Sequence, residues 1–368
     1  MKIALVPDYL AEYGGAERTF EVFCQMFPDA SIFTLAYNPS KMPKSIKKMN
    51  ITVSPLQKKV TYRIARSLVG PEAIVPYAPK AIEQFDLSDF DIVISAGAFA
   101  KGLITKPETT HIFYCHRLMR FLWEKHEEAL ATRSKLLRPY LRRLAYKIRI
   151  WDFLAADRVD YFIANSGFTQ KQIKKFYGKD SEVIYPPVDI SQFKVGSARE
   201  DYYLMVTRIG PFDQVELAVR AFDELGKHLL IIGDGSEKKK LQDLAKHNIE
   251  FLGFKPPKVL AEYYAGASAF ISVGEESFGL TEVEAMASGA PVIAYKEGGV
   301  EETVIPGVTG EFFKYLTVRE LVNAIEFFEK NRSRYDAQKI RAHAEQFDQK
   351  HFKQKIKNFI EKVTNKKD

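Results

Sequence analysis

Between positions 269 and 304 the chain changes its hydrophobic period twice. Residues 269–273, AFISV, are an almost unbroken apolar run of the kind that fits a buried strand. Gly274 interrupts it, and an acidic loop, EESFG at 275–279, follows. From Thr281 the apolar positions Val283, Ala285, Met286 and Ala287 suit a short helix that stops at Gly289. A second apolar run at 291–295 leads into the pair Gly298 and Gly299. Strand, loop, helix and strand with glycines at the turns form a unit that aims a helix N-terminus at an anion.

The same alternation runs through the rest of the chain. Strands are predicted at 3–6, 30–36, 51–54, 90–95, 111–116 and 160–166, and then at 203–208, 229–235 and 249–255, the last with the character of an edge. A helix of mixed period (Phe20, Val22, Phe23, Met26, Phe27) follows Gly14 and Gly15, and Ser166 or Asn165 is placed to cap another. A further helix includes 262–267, and helices are expected from Gly310 to the end. Alternating strands and helices imply parallel sheets, and 368 residues exceed one ordinary core. The two prolines of YPPVD at 185–189 stiffen a crossover and read as a linker. The expected organisation is an α/β chain with domains at 1–190 and 191–345 and a C-terminal helix at 346–368.

Composition narrows the function. Apolar content of 46% and charged content of 27% are those of a soluble globular chain, and no apolar run reaches transmembrane length. MKIALVPDYL has too short an apolar run for a signal peptide and reads as a first strand. Cys24 and Cys115 match no metal spacing, which favours a reducing, cytoplasmic setting. Residues 1–190 carry a net charge of +8 and the remainder −1, so the overall +7 belongs to the first half. Nothing resembles a helix-turn-helix, zinc or RNA-binding signature, so nucleic acid is not expected and anionic lipid is the better partner. Between 133 and 149 seven cations (Arg133, Lys135, Arg138, Arg142, Arg143, Lys147, Arg149) meet no acid. Leu136, Leu137, Leu141, Leu144 and Ile148 recur among them at helical spacing. Such a helix can lie on an anionic bilayer, or its leucines can pack on its own domain; Pro139 is expected to interrupt it.

Several residues suggest chemistry. Glu276 in the loop and Glu284 in the helix could accept hydrogen bonds from ligand hydroxyls while amides between them meet phosphate. Alternatively, Glu276 is a solvated loop residue and Glu284 a first-turn acid stabilised by the helix dipole. Gly14 and Gly15 open the first helix and let backbone N–H groups approach an anion, or form a plain tight turn. Arg208 ends a strand and could grip a diphosphate, or lie on the surface.

The stretch ESFGLTEVEAMASGAPVIA, with GGVEETV after it, resembles the donor-sugar motif of glycosyltransferase family 4. The resemblance extends over nearly the whole chain and implies the GT-B fold, two Rossmann-like domains with parallel sheets facing a central cleft. It implies a retaining, metal-independent transfer of a sugar from a UDP- or GDP-linked donor to a glycan or lipid-linked acceptor, in surface polysaccharide or glycoconjugate synthesis. No cofactor is expected. Within the family pattern, His116, Glu276 and Arg208 take the catalytic positions. Gly14, Gly15, Phe278, Gly279, Leu280, Thr281, Glu284, Gly233 and Phe254 take the donor-binding ones, with Glu276 on the sugar, Glu284 on the ribose and 278–281 on the phosphates. The YPPVD segment marks the hinge, and the last helix crosses back onto the first domain. The chain departs from the pattern at Pro7, at Arg117 and Leu118 after His116, and above all at Asp213 and Gln214, where the pattern places a Lys on the diphosphate. These departures leave open a degenerate member that acts as a binding partner or scaffold. The expected location is the cytoplasm, free or peripheral on the inner face of the membrane through 133–149.

Overall fold

In the computed structural model, which describes residues 1–58, 75–196 and 198–365, the apolar runs become two all-parallel sheets in two units. The first unit comprises Met1–Tyr185 and Lys353–Asp368, the second Pro186–Phe352.

The first sheet has the order β5-β3-β1-β6-β7-β8-β9. Its strands are β1 (Ile3–Pro7), β3 (Ser31–Thr34), β5 (Asn50–Val53), β6 (Ile92–Ala96), β7 (Thr110–Cys115), β8 (Tyr161–Ala164) and β9 (Ser181–Val183). The apolar run at 30–36 is divided: after β3 the chain leaves the sheet, and β4 (Ala36–Tyr37) pairs only with β2 (Tyr9–Leu10). The central strands are buried on both faces, as parallel sheets require.

A charged cluster lies inside this unit. Lys101 and Asp152, both almost fully buried, form an ion pair, and the Lys101 ammonium also donates to the Ala98 carbonyl. The second oxygen of Asp152 accepts from Trp123 Nε1 at 2.8 Å and from the Tyr177 hydroxyl at 2.6 Å. The rings of Phe113, Trp151 and Tyr177 lie 5.5–6.0 Å from the ammonium. A buried charge persists only when partnered, and here the ammonium and both carboxylate oxygens have partners.

Asp152 belongs to the helix Arg138–Ala155, which corrects the expectation at Pro139. The proline sits in the first turn, where its missing N–H has no partner to lose, so it starts one helix instead of dividing it. Residues 133–137 therefore precede the helix, and Leu136, on which a packed leucine face depended, is 91% exposed. Ser166 caps the next helix, its Oγ accepting from Thr169 N–H at 3.0 Å.

The second sheet has the order β12-β11-β10-β13-β14-β15. Its strands are β10 (Tyr203–Val206), β11 (Leu229–Ile232), β12 (Ile249–Gly253), β13 (Ala269–Ser272), β14 (Val292–Tyr295) and β15 (Gly310–Phe313). The last strand is a correction, because only helices were expected after Gly310; GEFF is too short, and its glutamate too intrusive, to show a period. Arg341 reaches the carbonyls of Ile190, Phe193 and Ala287 and ties the start of this unit to its closing helices. From Lys353 the final helix, Gln349–Thr364, groups with the first unit, with Phe359 edge-on to Tyr161 and Lys362 on Glu182. The final three residues of the basic tail, 366–368, lie outside the described residues.

Both tryptophans, Trp123 and Trp151, belong to the first unit, so their emission reports its unfolding separately. Lys101→Met leaves the Asp152 carboxylate buried beside two neutral donors. Removing one partner of a buried pair costs roughly 3–5 kcal/mol, so the tryptophan-detected urea midpoint is expected to fall sharply. A change below about 1 kcal/mol would show that water replaces the ammonium.

Candidate functional site

A doubly wound sheet opens a crevice at the carboxyl ends of its strands where the strand order reverses. The second sheet reverses between β10 and β13. At that point a small hollow is lined by Val206 and Thr207 from the end of β10, by Ser272, Val273 and Gly274 from the end of β13, and by Asp213, Glu276, Thr281 and Glu282. The structure thus brings Glu276, Thr281 and Asp213 together from stretches far apart in the chain.

The acidic loop is held by backbone contact. Gly299 N–H donates to the Glu276 carbonyl at 2.8 Å, and Glu276 and Gly298 form a parallel bridge. A Cβ on Gly298 would overlap the Glu276 carbonyl oxygen, and one on Gly299 that of Ser277, so both positions require glycine. Gly298 also has φ 95°. Beyond the bridge Phe278 is buried against Phe347, with ring centroids 5.5 Å apart. Gly279, at φ 96°, then turns the chain into the helix Leu280–Ala287.

The carboxylate closest to that helix start is Glu282, which the motif reading did not single out. It is buried and accepts from the Ser272 hydroxyl and, at 3.0 Å, from the Thr281 hydroxyl. Burial outweighs these donors and raises its pKa. Its acidic neighbourhood on a pocket-facing turn was the available signal. Glu284 points elsewhere: it is buried, its Oε2 accepts from the Tyr264 hydroxyl at 2.9 Å, and it does not line the hollow.

Arg208 and Asp213 face each other across a tight turn. Asp213 Oδ2 accepts from Gly210 N–H at 3.0 Å and from Arg208 Nε at 3.4 Å. The Asp213 side chain is 16% exposed and that of Arg208 78%, so the acid is the fixed partner. Gln214 follows at φ 54°, the one non-glycine residue with positive φ among the described residues, and opens the helix Val215–Leu225. A glutamine in the left-handed region stores strain where the chain departs from the family pattern. At Gly233 backbone lies on backbone, because a Cβ there would overlap the Thr207 carbonyl. Phe254, just past β12, is 75% exposed.

The first sheet reverses between β1 and β6, and there the protein fills its own anion cradle. The Asp8 carboxylate accepts from the N–H groups of Ala98, Phe99 (2.9 Å) and Ala100 (2.7 Å). Burial still pushes its pKa up to about 6. Pro7 is the buried last residue of β1. Gly14 N–H, expected to face a ligand, donates to Glu17 Oε2 at 3.0 Å, while Gly14 and Gly15 are themselves exposed. Half of a capping box thus closes this helix start. His116, just past β7, lies edge-on to Tyr114 at 5.0 Å. Its surroundings push its pKa down to about 4, so the ring is neutral at pH 7. Arg117 beside it is paired with Glu124 at 2.7 Å. Among the described residues no cluster of His, Cys, Asp and Glu could hold a metal ion.

Two family descriptions match the chain: Glycosyltransferase Family 4 over residues 13–192 and Glycosyl transferases group 1 over residues 188–361. A D-inositol 3-phosphate glycosyltransferase of Nocardia farcinica is 31% identical over 183 residues, covering 41% of each chain. The match therefore spans about two fifths of that relative's length. A GDP-mannose-dependent alpha-mannosyltransferase of Mycolicibacterium smegmatis is 40% identical over 138 residues, 33% of this chain and 36% of the relative. Among solved structures, the Anabaena protein HepE in complex with UDP superposes with a TM-score of 0.73 at 19% identity, covering 98% of this chain and all of the other. At this identity the likeness shows the fold, two Rossmann-like halves of the GT-B type.

The histidines give the first unit a pH dependence. His111 is fully buried, its Nε2 2.6 Å from the Ser95 hydroxyl, and burial pushes its pKa down to about 4. A lowered folded value means that stability is complete above the unfolded pKa of about 6.5 and is lost as pH falls toward 4. At pH 5 His111 alone would cost about 2 kcal/mol, and half-buried His116 less because solvent screens it. Asp8 acts oppositely: its raised value gives stability as pH falls through 6 toward 4, about 1 kcal/mol of it by pH 5. The tryptophan-detected urea midpoint is expected to fall between pH 7 and 5; a rise would mean that Asp8 outweighs both histidines.

Proposed function

The chain belongs to glycosyltransferase family 4, and from that premise we propose that it moves a sugar from a nucleotide diphosphate donor to a glycan or lipid-linked acceptor. The observation that carries the reading is the hollow at the second sheet's switch point, where Thr207 at the end of β10 meets Gly274, Glu276 and Thr281 from the stretch after β13. In this reading Arg208 meets the diphosphate and the helix beginning at Leu280 turns its positive end toward it. Arg208 and backbone amides then supply the charge stabilisation that a metal would otherwise give, so the transfer is metal-independent. Exposed Glu276 accepts from the donor sugar's hydroxyls, the ribose lies beyond the hollow on the side where Glu284 meets Tyr264, and exposed Phe254 offers a face to the base. His116, past the end of β7 in the first unit, keeps in this reading the catalytic position that the family resemblance gives it, with its ring neutral at pH 7. Relatives named for GDP-mannose and solved structures holding UDP leave either base as the donor's. The stereochemical course in this reading is retention. The product enters surface polysaccharide or glycoconjugate synthesis on the cytoplasmic face of a membrane.

One observation favours a second reading. Asp213 neutralises Arg208 and takes up Gly210 N–H, and Glu282 sits beside the helix start. Two carboxylates border the position of an expected dianion, and each unit pair at about 6 Å and an effective dielectric of about 20 repels by about 3 kcal/mol. A degenerate member that binds donor weakly and serves as a scaffold would keep the fold and show this electrostatics.

Calorimetric titration with UDP- and GDP-sugars separates the two. For the transferase, one sugar nucleotide binds at micromolar affinity; Glu276→Ala weakens it more than the free nucleotide, and Glu284→Gln weakens both by roughly 1–3 kcal/mol. Equal losses for both ligands in Glu276→Ala would overturn its assignment to the sugar.

Asp213→Lys with Gln214→Arg replaces an anion beside the diphosphate by a cation and frees Arg208. Nucleotide-diphosphate binding is expected to strengthen at least tenfold, with faster transfer or donor hydrolysis. No change in either measurement would place the loss of function elsewhere and leave the scaffold reading standing.

A further inference from the structure

The helix Arg138–Ala155 has two apolar faces, and only one packs against its own unit. Inward, Ala145, Ile148, Asp152 and Ala155 are buried. Outward, Tyr140, Arg143, Lys147, Ile150 and Leu154 recur at spacings of three and four and are exposed, with Tyr146 and Phe153 beside them. Leu136 and Leu137 extend the exposed apolar surface ahead of the helix.

The cations sort into two groups. Arg138 donates to the carbonyls of Ala131 and Arg133, Arg142 pairs with Glu127 at 2.8 Å, and Arg149 donates to the Leu122 carbonyl while stacking over Trp123. These three hold the helix to its surroundings. Lys135, Arg143 and Lys147 have no ion pair among the described residues. The helix carries a single acid, Asp152, which is turned inward onto Lys101. Its outward face therefore combines aromatic rings, aliphatic side chains and cations, and the exposed carboxylate at its flank, Glu127, is already paired with Arg142.

We propose that this face docks on an anionic lipid bilayer, with the rings and aliphatic side chains in the headgroup boundary and Arg143, Lys147 and Lys135 on lipid phosphates. Charge complementarity selects the occupant. A protein or second copy of this chain would have to bring its own acids to a surface of mixed aromatic and cationic side chains, whereas one leaflet of anionic lipid supplies phosphate and hydrocarbon together. Tyrosine suits the boundary because its ring is apolar and its hydroxyl polar, while phenylalanine, isoleucine and leucine supply the apolar side. About 27 Å of helix would lie in the plane of the membrane. No helix among the described residues is long and apolar enough to cross a membrane, so the contact would be lateral. The proposal rests on this face alone, and donor binding and lipid binding can fail independently.

The test is co-sedimentation of the full chain with vesicles of phosphatidylglycerol and phosphatidylcholine, against phosphatidylcholine alone. Binding is expected to the anionic vesicles only and to weaken as salt rises above about 0.1 M, where the Debye length falls below about 10 Å. Arg143→Ala with Lys147→Ala should weaken it about 25-fold, at about fivefold per cation near the surface. Tyr146→Ser with Phe153→Ser should weaken it while leaving the salt dependence in place, which separates insertion from simple charge attraction. All four side chains are exposed, and unchanged urea midpoints confirm that the variants fold. Equal binding to both vesicle types, binding to neither, or retention by the Arg143 and Lys147 variant would overturn the proposal. So would loss of a dimer in sedimentation velocity upon Tyr146→Ser with Phe153→Ser, which would assign the face to a second copy.

Discussion

At Gly298 and Gly299 backbone lies directly on backbone, against Glu276 and Ser277, with no room for a side chain on either glycine. The geometry of the second unit's site depends on that contact. The bridge fixes the path of the acidic loop, the loop delivers Phe278 into the core against Phe347, and Gly279 can then start the helix at Leu280 beside the end of β13. Glu276 is left facing outward because its neighbours on both sides are held. A recognition residue on a loop is useful only if the loop's own freedom has been removed beforehand. Here two glycines remove it without adding a side chain that could obstruct a ligand.

A second theme is that the protein's own carboxylates occupy its anion-attracting backbone. Asp8 fills the N–H cradle at 98–100, Glu17 takes Gly14 N–H, Asp213 takes Gly210 N–H, and Glu282 sits beside the start of the helix Leu280–Ala287. Asp8 is structural, because it is buried and a Cβ on Gly97 would strike it. Glu17 caps an exposed helix end, where a carboxylate is stabilising by the dipole alone. Asp213 and Glu282 differ, since both line the hollow. In the proposed reading an anionic ligand there would compete with charges that the fold already carries, and Arg208 and the amides would have to outweigh them.

The strand-helix alternation, the parallel sheets and most strand positions could be read from apolar runs because strands buried on both faces are largely apolar, with polar exceptions such as Ser95 and His111 bonded to each other. β15 escaped because GEFF has a glutamate in a four-residue element, and the run at 30–36 hid a change of sheet at Leu35 that burial on both sides conceals. The motif around Glu276 and the cation-to-acid change at Asp213 were visible as residue types in order. What spacing could not show is direction. Glu282 and Glu284 are two positions apart on one helix, so they point to opposite sides, one into the hollow and the other onto Tyr264. Which of them lines the hollow is decided by the helix's rotation against β13 and the helix Pro257–Gly266, a tertiary fact.

The helix Arg138–Ala155 is subject to the same limit. A helical period marks which residues share a face but not which face the domain covers. Leu144 and Ile148 suggested a single apolar stripe, yet Ile150, Phe153 and Leu154 form a second one on the far side. The inward assignment comes from Asp152: the helix's single carboxylate must meet Lys101, Trp123 and Tyr177, since an unpaired buried charge would cost more than any apolar stripe gains by burial. With Asp152 pinned inward, the opposite side is necessarily the acid-free one. The buried ion pair that steadies the first unit thus also determines that rings and cations are what the helix shows to its surroundings.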